Sequence, residues 1–206
     1  MWLPVLITVL TGYLLGNLNG AVSMSTLLSH EDVREHGSGN AGLTNFTRTF
    51  GPAKAVLVLL IDMTKTILAC FVGKLLLEQY GYGQEGLMLG ALAVSLGHDF
   101  PALLGFHGGK GILCGLAIAI CADWRIAVII LIVFGVTVAI SKKVSLGSIL
   151  AAAAYAISFG VLHRDNIFVA VCGILIGLFA IFMHRSNIAR LIKGTEKDMS
   201  FGKDKK

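Results

Sequence analysis

The chain has 206 residues, of which 55% are hydrophobic and 14% charged, with a formal net charge of +5 and a mean hydropathy of +0.80. Soluble domains carry about 25% charged residues, so a water-soluble globular protein is excluded. Repeated apolar runs of about 18 or more residues read as membrane-spanning helices. The expected fold is all-α, a polytopic integral membrane helical bundle, and no nucleic acid is expected as a partner.

Apolar segments fall at roughly 4–28, 51–77, 86–104, 111–122, 125–141, 145–162 and 166–183. The first has no basic stretch before it and no small-x-small cleavage site after it, so it reads as a retained span and not a signal peptide. In the second, Asp62 and Lys65 stand at i, i+3 at membrane depth, where charges are rare and usually paired. An internal pair that sets this helix beside a site is expected. Residues 111–141 read either as one helix interrupted by Asp123 and Arg125 or as two helices joined at 122–125. Charge separates these readings. With seven spans, Arg34, Arg48, Lys54, Lys110, Lys142, Lys143 and every Lys and Arg after Met183, including Lys203, Lys205 and Lys206, share one side. The other side holds Lys74, Arg125 and Arg164. With six spans the basic groups are divided. Lys and Arg concentrate on the cytoplasmic side, so seven transmembrane helices are expected, N-terminus outside and C-terminus cytoplasmic. A short fourth helix is tolerable if tilted or covered by neighbours. In the sixth span Gly147, Ser148 and Ala151 to Ala154 suit close helix packing. Cys70, Cys114, Cys121 and Cys172 lie in apolar runs without metal-ligand or redox spacing, and read as small buried hydrophobes.

Four polar segments fall on the expected cytoplasmic side, near 30–50, 97–111, 141–148 and 184–206. In Gly37-Ser38-Gly39-Asn40, glycines permit positive φ, so successive backbone N–H groups can form an anion nest. Ser38 and Asn40 add side-chain donors. Gly42, Thr44, Asn45 and Arg48 extend the loop with more donors and a fixed charge suited to a phosphate or carboxylate. Asn45-Phe46-Thr47 fits a glycosylation pattern but would face the cytoplasm. Gly108-Gly109-Lys110-Gly111 is not a Walker A loop, since Leu104 and Gly111 stand where Gly and Ser/Thr are required. A lysine between glycines at a helix start still suits phosphate; a snorkelling interfacial lysine is the alternative. His184 and Asn187, and likewise Ser145 and Ser148, share a helix face at i, i+3. Ser145 as a helix cap is the competing reading there, and Arg185 and Arg190 also read as anchors. Two glycine turns, several cations and Asn, His and Ser donors on one face suit two phosphates held close together.

These residues resemble a known family. HGSGNAGLTNFTRTFG (36–51), GHDFPALLGFHGGKG (97–111), VSLGSI (144–149) and HRSNIARLIKGTE (184–196) look like the signature segments of the PlsY family, bacterial membrane acyl-phosphate:glycerol-3-phosphate acyltransferases, in order and spacing over essentially the whole chain. The resemblance implies a single transmembrane acyltransferase domain over 1–206 in the bacterial plasma (inner) membrane. It implies transfer of a fatty acyl group from acyl phosphate to the 1-hydroxyl of glycerol 3-phosphate, giving 1-acylglycerol 3-phosphate (lysophosphatidate) and phosphate. This would be the first acylation of phospholipid synthesis, with the active site on the cytoplasmic side, membrane lipid around it, and no cofactor or metal. The chain departs from the family where Gly16-Asn17-Leu18-Asn19 replaces a common Gly-Ser-Ile-Pro run. It also departs at Lys142 and Lys143, where Arg and an aromatic are common, and at Met183.

An acyl phosphate carries a good leaving group, so alignment and charge stabilisation are the main requirements. No His-x4-Asp dyad follows any of the six histidines. Ser38, Gly39 and Asn40 are expected to hold the acyl phosphate. Arg48, Lys110, His184, Asn187 and Ser145 are expected to hold glycerol 3-phosphate, with Gly37, Gly42, Thr44, Asn45, Gly108, Gly109, Gly111, Ser148 and Arg185 in support. Asp62, Lys65 and Glu196 are structural. The proton acceptor is either His184 or a substrate phosphate oxygen, the latter favoured because no carboxylate is placed to orient His184. The alternative from another class is a small-anion channel or phosphate-ester transporter, but such proteins place their site near the midplane.

Overall fold

Among the described residues, helix-breaking residues divide the apolar sequence into ten α-helices. A computed structural model describes residues 1–199, so Lys203, Lys205 and Lys206 and the end of the 184–206 segment lie outside the described residues. The helices are α1 (Trp2–Asn17), α2 (Gly20–Ser29), α3 (Leu43–Phe50), α4 (Pro52–Glu78), α5 (Gly83–Asp99), α6 (Ile112–Ala122), α7 (Trp124–Ser141), α8 (Val144–Leu162), α9 (Ile167–Met183) and α10 (Arg185–Ile192). No strand occurs among the described residues.

By length and composition, five helical stretches among the described residues suffice to cross a membrane: Trp2–Ser29, Pro52–Glu78, Gly83–Leu104, Trp124–Ser141 and Val144–Leu162. The pair α9 and α10, bent by 54°, makes a sixth. The expected fourth span is α6, whose 11 residues extend about 16 Å at 1.5 Å per residue, against a hydrocarbon core of about 30 Å. Residues 111–141 do form two helices. Asp123 breaks them by capping α7, accepting from Arg125 N at 3.0 Å and pairing with the Arg125 guanidinium at 2.7 Å.

Of the five long apolar stretches, the one containing α5 is the most buried and α7 the least. Small residues let α5 sit so deep. Gly90 lies against the Ala69 carbonyl of α4, and Gly97 against the Tyr13 carbonyl of α1. A side chain at either position would collide with backbone, which is how small residues allow helices to close in lipid. The exterior is apolar along whole helix faces. Leu57, Leu60, Leu68, Phe71 and Leu75 are exposed along α4 at a spacing that keeps one stripe outward, a surface suited to lipid and not to water.

The first span is broken between α1 and α2. Asn19 caps α2 by accepting from Val22 N at 3.0 Å and donates to Ala41 O at 3.0 Å. Asn17 accepts from Leu103 N at 3.0 Å. Asn19 therefore starts the new helix without a proline, and Asn17 ties the break to the loop after α5. The buried Asp62–Lys65 pair, 2.8 Å apart, closes the gap: Asp62 accepts from Gly20 N at 3.1 Å, and Lys65 donates to Leu18 O at 2.6 Å. The expected internal pair is present, and it holds a helix break. Two apolar cores flank this region. One joins α4 to α9 around Met88, Ile118, Ile126 and Phe159, and a smaller one lies under residues 30–50 around Val33, Phe46 and Val58.

Candidate active site

Between the two cores lies a cavity of about 550 Å³. Its polar end carries Ser38, Asn40, Arg48, Lys110, His184 and Asn187, and its apolar wall is built by Ile112, Leu113, Leu116, Ile130, Leu131 and Phe134. The turn at 38–40 and the lysine at 110 thus share one end of the bundle. Arg34 ties their loops together, donating to Leu104 O at 2.9 Å while pairing with Asp32 at 2.7 Å.

Each loop has a local cause. Gly37 and Gly39 sit at φ of 61° and 71°, the left-handed region that favours glycine. Any side chain at Gly37 would strike Asn45 Oδ1. Asn45, 2% exposed, organises the loop. Its amide nitrogen donates to Val33 O, His36 O and Asn40 O at 2.9, 3.0 and 3.1 Å, and its oxygen accepts from Ser38 N at 2.9 Å. That burial leaves the glycosylation pattern inaccessible. The backbone N–H groups of Ser38, Gly39 and Gly42 are all bonded inside the loop. Those three amides are thus committed to the loop, and the side chains of Ser38 and Asn40 are the donors the turn adds at the cavity wall.

Lys110 donates to Asn187 Oδ1. Asn187 donates to Glu196 Oε1 at 2.8 Å, and Arg190 pairs with Glu196 Oε2 at 2.6 Å. Burial pulls the Lys110 ammonium down to about 8, helped by Arg190 and Arg185 and opposed by Glu196. Burial alone would raise the Glu196 carboxyl, but Asn187, the nearby Ser145 hydroxyl and Arg190 together outweigh it and hold the group below the usual carboxylate range. His184 Nδ1 lies 2.7 Å from Ala180 O. A carbonyl only accepts, so Nδ1 carries the proton and Nε2 is left as an acceptor.

Ser145 lies at the second position of α8, behind an N-cap at Lys143, so it is not the helix cap. Its Oγ is buried at the cavity wall near the Glu196 carboxylate, without a hydrogen bond of normal geometry among the described residues. Ser148 also lines the cavity and donates to Val144 O at 3.1 Å. Gly42, Thr44 and Gly111 line it too, whereas Gly39, Gly108, Gly109 and Arg185 do not. Arg185 is exposed and stacks over Phe182 at 4.7 Å. The tail closes one side of the cavity. Lys143 donates to Glu196 O and Asp198 Oδ1, both at 2.9 Å, and Arg48 donates to Asp198 O at 3.3 Å. Lys143, one of the departures from the resembled family, thus anchors that tail. Glu196, expected to be structural, does anchor the tail through Arg190, whereas sequence reasoning missed the anchors at Lys143 and Arg48, and it missed His98, which lines the cavity beside Asp62. A histidine ending an otherwise apolar run was the available signal.

A cationic, donor-rich end joined to an apolar wall suits an anionic head group carrying or receiving a hydrocarbon chain. Comparison with known proteins agrees with that description. The profile of the glycerol-3-phosphate acyltransferase family matches residues 6–194. A glycerol-3-phosphate acyltransferase of Finegoldia magna is 36% identical over 188 residues, covering 91% of this chain and 92% of that protein. One of Alkaliphilus metalliredigens is 37% identical over 196 residues, covering 93% and 94%. A crystal structure of PlsY, an integral membrane glycerol 3-phosphate acyltransferase, in its glycerol 3-phosphate form superimposes with a TM-score of 0.84 at 31% identity, covering 95% of this chain and 96% of that one. The lysophosphatidic acid form gives 0.81 at the same identity, with 96% of each chain covered.

Proposed function

The chain belongs to the glycerol-3-phosphate acyltransferase family, and on that premise we propose that it transfers a fatty acyl group from acyl phosphate to the 1-hydroxyl of glycerol 3-phosphate. The products are 1-acylglycerol 3-phosphate and inorganic phosphate, and the reaction is the first acylation of bacterial phospholipid synthesis. The observation that carries this reading is a cavity whose cationic end continues into an apolar wall. It suits both phosphates and the acyl chain at once. The two ligand forms of the related crystal structures fit the same acceptor and product.

In this mechanism Arg48, Lys110 and Asn187 hold the phosphate of glycerol 3-phosphate, with Ser145 donating its hydroxyl. Ser38 and Asn40 hold the acyl phosphate, and the acyl chain runs along Leu116, Ile130 and Phe134. The acceptor hydroxyl oxygen forms a bond to the acyl carbon, and the bond from that carbon to the phosphate oxygen breaks. The cations stabilise the charge that develops. His184 Nε2 accepts the hydrogen bond of the attacking hydroxyl, because Ala180 O fixes the other ring nitrogen as the donor. A backbone carbonyl thus orients the ring where no carboxylate does. The proton ends on the departing phosphate, which leaves as hydrogen phosphate. His184→Ala would then weaken turnover moderately. A loss of several orders of magnitude with unchanged glycerol 3-phosphate binding would make the histidine the base.

We further propose one transmembrane domain over 1–206 in the plasma membrane, with seven spans counting the short α6, the N-terminus outside, and the cavity mouth cytoplasmic. The distribution of Lys and Arg supports this topology. Impermeant labelling of Tyr80→Cys and Lys142→Cys from opposite sides of spheroplasts tests it, and labelling from one side refutes it.

The reaction is tested by incubating purified protein with palmitoyl phosphate and glycerol 3-phosphate, with palmitoyl coenzyme A as a parallel donor. Release of phosphate together with lysophosphatidate supports the proposal. Uptake of glycerol 3-phosphate into proteoliposomes without acylation would overturn it in favour of a transporter.

A further inference from the structure

Beneath the cavity's polar end lies a buried chain of charged and titratable side chains that the mechanism above does not use. Lys65 Nζ contacts Asp62 Oδ1 at 2.8 Å, Leu18 O at 2.6 Å, Gly16 O at 3.3 Å and His98 Nδ1 at 2.9 Å. An ammonium donates and never accepts. His98 Nδ1 is therefore the accepting nitrogen, and the ring proton sits on Nε2. No hydrogen bond from Nε2 is present among the described residues. That edge of the ring instead lies directly against Gly109, where any Cβ would collide with Nε2. Gly109 N donates back to His98 O at 3.0 Å.

The neighbouring glycines rest on the same platform. A side chain at Gly108 would strike His98 O and Pro101, and one at Gly111 would press on the Asp99 carboxylate at 3.3 Å. The Gly-Gly-Lys-Gly turn is thus seated on the end of α5, which explains why Gly108 and Gly109 face away from the cavity. The platform itself is pinned from α1: Tyr13 donates to Phe100 O at 2.9 Å, and Asn17 accepts from Leu103 N at 3.0 Å.

We propose that His98 is a positioning residue for Lys110: the Asp62–Lys65 pair locks the imidazole in one tautomer and orientation, and the ring edge sets the height of the glycine turn that aims Lys110 at the substrate phosphate. This rests on the reading that the cavity holds glycerol 3-phosphate. His98 acts through Lys110 and not on the substrate, so its effect disappears when Lys110 no longer carries a charge.

The test compares His98→Asn, His98→Gln and Gly109→Ala in the native chain and His98→Asn in a Lys110→Gln background. Asparagine keeps an acceptor for Lys65 but lacks the ring edge, whereas glutamine reaches as far as Nε2. Directly coupled neighbours change one another's effects by about tenfold. His98→Asn is therefore expected to raise KM for glycerol 3-phosphate about tenfold with kcat within about threefold, and glutamine should restore KM to within about threefold of the native value. In the Lys110→Gln background His98→Asn should add less than about twofold. Gly109→Ala drives a methyl into the same ring edge and should raise KM alike, so the proposal stays testable if His98→Asn fails to fold. An unchanged KM in folded His98→Asn or Gly109→Ala, a His98→Gln KM as high as that of His98→Asn, or a full-sized effect in the Lys110→Gln background overturns the proposal. Calorimetric binding of glycerol 3-phosphate is measured on the same samples. A native chain that binds it without acyl transfer defeats the proposed reaction, and the binding constants then decide the role of His98 by the same ratios.

Discussion

Replacing Asp62 with alanine removes the acceptor at the centre of the first span's break. The side chains of Asp62 and Lys65 are 2% and 3% exposed, so the substitution strands an ammonium in the bundle. Breaking a buried pair from one side costs about 3–5 kcal/mol. Gly20 N, which donates to Asp62 Oδ1, loses its partner at a cost of about 1–3 kcal/mol. The sum, roughly 4–8 kcal/mol, is comparable to the stability of a typical domain, about 5–15 kcal/mol. Ordinary interhelical hydrogen bonds in membranes average about 0.6 kcal/mol, so the outcome distinguishes an ion pair from those. Asp62→Ala/Lys65→Met removes the stranded charge but leaves Leu18 O, His98 Nδ1 and Gly20 N without partners, and should regain about half of the loss. Equilibrium unfolding in mixed detergent micelles, read by circular dichroism, measures both variants. If Asp62→Ala falls within about 1 kcal/mol of the native chain, or the double variant is no more stable than the single, the argument fails.

Lys110 loses its charge as pH rises through about 8, while glycerol 3-phosphate gains its second charge above pH of about 6. Affinity should therefore rise from pH 5 to about 7 and fall above about 8, which steady-state KM across this range checks; Lys110→Gln should abolish the alkaline limb. Ser145→Ala removes a buried oxygen that makes no hydrogen bond of normal geometry among the described residues, so stability should hold or rise slightly while KM for glycerol 3-phosphate increases several-fold; a drop in unfolding temperature would contradict this reading. Asn19→Ala removes the cap of α2 and the tie to Ala41 O. A loss of about 0.5–2 kcal/mol is expected from the cap alone, measured by the same micelle unfolding.

The apolar helices were legible because hydropathy and helix-breaking residues are local properties of the chain. The site was legible in outline because its donors stand in short polar segments between those helices. Ser38, Asn40, Arg48, Lys110, His184 and Asn187 meet around one cavity. What each does there was less legible. Asn45 looked like another donor for a ligand, yet it holds its own loop by four hydrogen bonds to backbone groups. Gly108 and Gly109 looked like a phosphate cradle, yet they permit close contact with His98. A glycine needed for conformation and one needed for proximity are the same letter in a sequence.

Composition alone determined that this chain belongs in a membrane, since so few charges over so many apolar residues leave no water-soluble fold. It also determined that the polar chemistry must gather at helix ends, because unpaired donors are costly inside lipid. Only the tertiary structure decided which distant donors are free for a ligand and which hold the fold together. That division depends on partners brought from elsewhere in the chain. Lys65 meets Leu18 and His98, and Glu196 returns to Asn187, and no local pattern encodes those meetings.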